Sequence, residues 1–338
     1  MKSKNFIEID HGDKLVFHFN DIKGKPQLQL SFQRTLRVPD SEEVNYLPPG
    51  LGRFELRHVA DYADKLPSSW VKHGGVLLPM WQAEALWLSF DSKDDWPFAL
   101  KVGTGKICAV TGESWSRGLR QITSYSKEDG LESTQNYLPI PAQPWLDGFC
   151  TGQGEVRQFV AAPLGSGLTV EEQLTGEAQV GGIQLEVYPL KEFRRRNYEL
   201  DYCCGACYGA PPDTEMGLGA GGRIRQKIEE DEHSLEEYEI EHPLRVFVHL
   251  LNSEHWREVT GEAMPQKPLD ASDYTEHGLP WFDYYSDGKG VGATDTLKGI
   301  KSVNELTGLG KEKPLEVESS QLIKLYHKKH VRVECAEF

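Results

Sequence analysis

The sequence lacks any run of about 18 uninterrupted apolar residues, the length a membrane-spanning helix needs, so no such helix is expected. Its opening stretch, MKSKNFIEIDHGDKLVFHFN, breaks each apolar segment with charge and has no hydrophobic region of the kind found in secretory signals. The expectation is a soluble, cytoplasmic protein. Positive charge is in deficit: 37 Lys and Arg face 52 Asp and Glu, a net charge of −15. That field repels phosphates, so neither nucleic acid nor a membrane surface is expected as a partner. Cysteine is sparse, at six in 338 residues, and disulfides are not expected in a reducing compartment. Apolar residues at 38% and aromatics at 10% are enough to close a core without such staples.

Several catalytic and nucleotide signatures are missing as well. Gly105-Lys106 ends no phosphate loop, because Leu100 stands where the first glycine belongs and Ile107 replaces the Ser or Thr. Ser166, in LGSGL, lacks the nucleophile frame and reads as a turn. The histidines are scattered, His327 and His330 being the closest pair. Strands do not alternate with helical patterns of 10–15 residues, which argues against a doubly wound sheet.

What is present is period two. In QLQLSFQRTLRV, residues Leu28, Leu30, Phe32, Leu36 and Val38 share one parity and polar residues the other, which predicts a long half-buried strand. Arg34 breaks the apolar parity and reads either as half of a buried ion pair or as a cation pointing into a cavity. Similar alternation recurs around Phe17, Leu185, Val246 and Val333, and Gly103-Thr104-Gly105 suits a hairpin turn. Helices are short and capped: Thr169 with Glu172 and Gly176, Asn252 or Ser253 with Gly261, and Asp270 with Gly278. The fold class is therefore mainly β or α+β, with antiparallel β-rich sheets or a sandwich and a few short capped helices. Six of the eight tryptophans precede residue 148, so two domains are expected, 1–148 and 149–338, with a sub-boundary near 242.

Three places could carry chemistry. Cys203, Cys204 and Cys207 have a gap that lets two thiolates grip zinc, yet no second CxxC or paired histidines complete the set. Gly217, Gly219, Gly221 and Gly222 read as a glycine-rich turn feeding the RIRQKI strand. There Gly219, Gly221 and Gly222 form a backbone nest for an anion completed by Arg223 and Arg225, unless those cations pair with the acidic run Glu229 to Glu232. Trp281, Phe282, Tyr284 and Tyr285 form an aromatic binding patch or pack into the core.

The blocks PMWQAEALWLSF, QPWLDGFC, GEVRQFVAAPLGSGLTVEEQLTG, GGIQLEVYPL, GLGAGGRIRQKI and GLPWFDYY together resemble an uncharacterised protein family, over about residues 30 to 300. The resemblance implies a folded intracellular protein and attaches no activity, cofactor or catalytic residue. The leading expectation is a binding or interaction protein with a protein or small-molecule partner, no catalysis and no cofactor. One alternative is an enzyme with an anion site between the Trp-rich part and Arg223. The other is an interaction module built on zinc at the three cysteines.

Overall fold

The computed structural model describes residues 5–126, 130–193, 216–265, 267, 270–286 and 290–327. The alternating stretch forms the strand Gln27–Thr35, with Leu28, Leu30 and Phe32 buried. The strand ends three residues short of the alternation, and Leu36 and Val38 remain buried beyond it. It pairs antiparallel with Lys14–His18 on one side and Ala85–Ser92 on the other. From Ala85–Ser92 the sheet continues through Glu155–Pro163, Met216–Arg225, Leu244–Leu251, Ile183–Pro189 and Phe98–Thr104 to Leu138–Ile140. Pairing along this path is antiparallel, and Val76–Pro79 joins Leu244–Leu251 in parallel. A smaller parallel pair, Trp281–Ser286 with Leu322–His327, lies apart from the large sheet. The protein is thus β-rich with a large antiparallel sheet, as expected. No helix among the described residues is long and apolar enough to cross a membrane.

The expected division at residue 148 does not appear in the core. Strands that follow it form the middle of the sheet and strands that precede it flank them on both sides, Ala85–Ser92 beside Glu155–Pro163 and Phe98–Thr104 beside Ile183–Pro189. One buried apolar cluster contains Phe32 and Trp96 together with Leu185, Val248 and Trp281. Trp96 of the first half therefore shares a core with Trp281 of the second, and Trp70 shares a smaller one with Trp256. Phe98–Thr104 and Ile183–Pro189 are buried at every position, so their polar residues need partners inside the protein.

Local signals held where the chemistry is local. Thr169 accepts from the Glu172 N–H while the Glu172 carboxylate accepts from Thr169, and Gly176 closes that helix at φ 71°. Asn252 caps Ser253–Thr260 and Asp270 caps Ala271–Glu276. Gly105, at φ 56°, turns Phe98–Thr104 into Ile107–Cys108.

Asp147 stands where Trp145–Leu146 meets Gly148–Gly152, buried, with its carboxylate accepting the Trp145 Nε1–H at 2.6 Å. Burial pushes its pKa from 3.8 up to about 7, against the lowering effect of that one hydrogen bond. The folded state therefore holds a proton that the unfolded chain has released, and stability falls as pH rises from about 4 through 7. Asp147→Asn keeps the acceptor and removes the titration. Its urea-derived stability is expected to lose about 2 kcal/mol less than the parent's between pH 5 and pH 8.

Candidate functional site

Arg34 faces inward, and across the sheet from it a tight turn brings Glu84 back under the strand. The Arg34 Nε–H donates to Glu84 Oε1 at 2.7 Å, Nη2 donates to the same oxygen, and the Trp81 N–H donates to Oε2 at 2.8 Å. The guanidinium also stands 5.3 Å from the Phe54 ring centroid. Both side chains are almost wholly out of water, at 4% and 1% exposure, so Arg34 is half of an ion pair and does not itself enter a cavity. Burial pushes the Glu84 carboxyl up to about 7, opposed by the Arg34 charge and the Trp81 N–H. The turn needs Ala83 at φ 62°, a left-handed conformation costly for a residue with a Cβ.

Above this pair lies a cavity of about 640 Å³. Its floor is Thr35, Glu84 and Ala85, where Thr35 and Ala85 are direct partners across the sheet. Arg37 and Trp81 form the walls, and the Trp81 indole N–H is held by the Pro265 carbonyl at 3.0 Å. The rim carries both signs of charge, Lys267 and Lys313 against Asp270, Asp273 and Glu312. Glu312 exchanges hydrogen bonds with the Asp40 backbone at 2.8 and 2.9 Å, which ties the far rim to the chain leaving the early strand. Arg37 donates from Nη2 to Asn304 Oδ1, while its Nε–H has no acceptor among the described residues. The wall thus keeps a cationic donor that the described protein groups do not satisfy.

The glycines expected to cradle an anion lie elsewhere and serve packing. Gly219, Gly221 and Gly222 are interior to the strand Met216–Arg225 and are buried, so the glycine-rich turn is corrected to a strand. Room for a Cβ is missing: one at Gly219 would meet Val303 at 2.6 Å, at Gly221 Val160 at 2.5 Å, and at Gly222 the Pro39 carbonyl oxygen at 2.3 Å. Arg223 donates to the Glu42 carbonyl and lies 3.7 Å from Glu155, and Arg225 pairs with Asp283 at 3.0 Å. Both arginines thus find partners outside the acidic run, and within it Glu229 pairs with Lys227 at 2.9 Å. The aromatic run is divided between strand faces. Trp281 and Tyr284 are buried, Trp281 against Tyr274 and Tyr284 against Trp145, while Phe282 is half-buried and its backbone bridges to Leu47. An open patch of these residues is therefore corrected to core packing, with the Tyr285 side chain outside the described residues. Cys203, Cys204 and Cys207 also lie outside the described residues. Among the described residues no group of three or more metal-ligating side chains converges.

Glu84 and Arg37 carry the cavity and were not singled out from sequence. A signal for Glu84 existed, since it is the one acid inside LLPMWQAEALWLSF and a buried Arg34 demands a carboxylate. Fold and site define a β-rich protein with a charged-rim cavity beside the end of its longest early strand. The chain matches no known family, no curated protein and no solved structure.

Proposed function

We propose that this chain is a binding protein for a small charged molecule, with the cavity above the Arg34–Glu84 pair as its site. The observation that carries this reading is a cavity of about 640 Å³ in which charges of both signs converge over a floor whose Glu84 is held by Arg34 and the Trp81 N–H. Pockets of roughly 300–1,000 Å³ with a few placed polar groups are the usual size for small ligands. Binding is favoured over turnover by the state of Glu84, the acid in the cavity floor whose pKa burial raises. Glu84 has both carboxylate oxygens occupied by Arg34 and Trp81, so it is committed to holding the floor and is poorly placed to exchange a proton with a bound molecule. Arg37 offers an anionic group a partner, and Asp270 and Asp273 offer one to a cationic group.

Native mass spectrometry of the full chain purified from its host tests this. A small molecule is expected to accompany the parent protein and to be lost from Arg37→Ala and from Ser272→Trp, which plugs the exposed rim. A bare chain mass, together with no thermal shift from amino acids, organic acids, nucleotides or sugar phosphates, overturns the proposal.

A further inference from the structure

A second cavity, about 520 Å³, opens beside the neighbouring strands Phe98–Thr104, Ile183–Pro189 and Leu244–Leu251, with Gln184 and Phe247 in its lining. Strand register sets Gly103, Gln184 and Phe247 in one row across these strands and Lys101, Glu186 and Arg245 in another two residues along, on the same face. The charged row is closed on itself. Lys101 Nζ lies 3.6 Å from Glu186, Arg245 hydrogen-bonds the same carboxylate, and the Gly118 carbonyl accepts from Lys101 at 2.9 Å.

The other row is left open. Gly103 lets the Trp115 indole settle against the strand, where a Cβ would stand 2.5 Å from the ring. The Trp115 N–H donates to the Lys106 carbonyl at 2.7 Å, and the Lys101 ammonium supports the ring at 4.6 Å from its centroid. Trp115 is half-buried and lines the cavity. Across Gln184, Phe247 stacks on His73 with centroids 4.6 Å apart and planes 14° from parallel. Lys106 and Glu177 close the wall as an ion pair at 2.8 Å, each a third to a half exposed.

Charge and shape together select a ligand class. The cations and carboxylates around the cleft are paired, so it is polar and close to neutral. A cationic ligand would meet the Lys106 ammonium, and an anionic one the Glu177 carboxylate. A half-buried indole lining the cleft beside a carboxylate, an ammonium and a carboxamide complements a molecule with an apolar face and a rim of hydroxyls. We propose that this cleft is a saccharide-binding site that takes a neutral pyranose ring on Trp115, with the ring hydroxyls bonded to Glu177, Lys106 and Gln184. The site is independent of the charged-rim cavity.

Saturation-transfer NMR on the full chain tests it, with the methyl glycosides of glucose, galactose, mannose and N-acetylglucosamine and their short oligosaccharides as probes. At least one is expected to receive saturation at its ring protons. Its affinity is expected to fall about tenfold or more in Trp115→Ala. Glu177→Gln, a surface change that leaves the core untouched, should weaken it in the same direction, and Ser272→Trp should leave it unchanged. No transfer to any of these sugars overturns the proposal, as does binding insensitive to both Trp115→Ala and Glu177→Gln. Displacement of the sugar by adenosine at lower concentration also overturns it, in favour of a flat heteroaromatic ligand.

Discussion

Glu84→Ala is expected to lower folding stability by about 3–5 kcal/mol, read as a fall in the urea midpoint at unchanged slope. Arg34 is buried and cannot lose its charge, so removing the carboxylate strands a guanidinium inside the sheet. The loss reports that stranded charge more than any net worth of the pair. Arg34→Met with Glu84→Leu, which removes both charges and keeps the volume apolar, should recover most of the stability. The two carboxylate variants also separate floor from ligand contact. If the cavity is a binding site resting on this pair, the double variant folds yet binds its ligand more weakly, because the Trp81–Glu84 turn loses the hydrogen bond at 2.8 Å that shapes it. A Glu84→Ala protein as stable as the parent would refute the buried pair.

Gly222→Ala is the second large effect, about 3 kcal/mol or more in the same measurement. An added Cβ would sit 2.3 Å from the Pro39 carbonyl oxygen, and that atom is backbone, which cannot rotate aside as a side-chain end can. The neighbouring segment is also pinned, with the Asn45 N–H donating to the Arg223 carbonyl at 2.8 Å. Arg225→Ala, by contrast, removes only an exposed pair with Asp283 and should change stability by less than about 1 kcal/mol. An anion nest at these glycines would give the opposite pattern, with sulfate protection lost on changing either arginine and little cost from the alanine at Gly222.

The glycine-rich and aromatic segments are ambiguous in sequence for one physical reason. Glycines at alternating positions suit a turn because they are free of Cβ constraints, and they suit a strand whose neighbours approach closely for the same reason. Which applies at Gly219 and Gly222 depends on Val303 and Pro39, residues far along the chain. The same holds for charge. Arg225 finds its partner 58 residues away and Arg34 finds its own 50 away, so neither pairing is written in local spacing. The cluster at Trp281 and Tyr284 was ambiguous because aromatic composition is identical for a patch and for a core, and only burial separates them.

The sequence by itself determined the β-rich class, the early strand though not its end at Thr35, the helix caps at Thr169, at Asn252 or Ser253, and at Asp270, and the hairpin at Gly105. These follow from side-chain alternation and from hydrogen bonds between residues a few positions apart, which any local window contains. Tertiary structure alone decided that both halves of the chain share one sheet, that Arg34 closes on Glu84, and that two cavities lie over its strands. Strand order, close backbone approach and charge neutralisation join residues remote in sequence. Period two states which face of a strand is apolar, and it does not state which strand lies beside it.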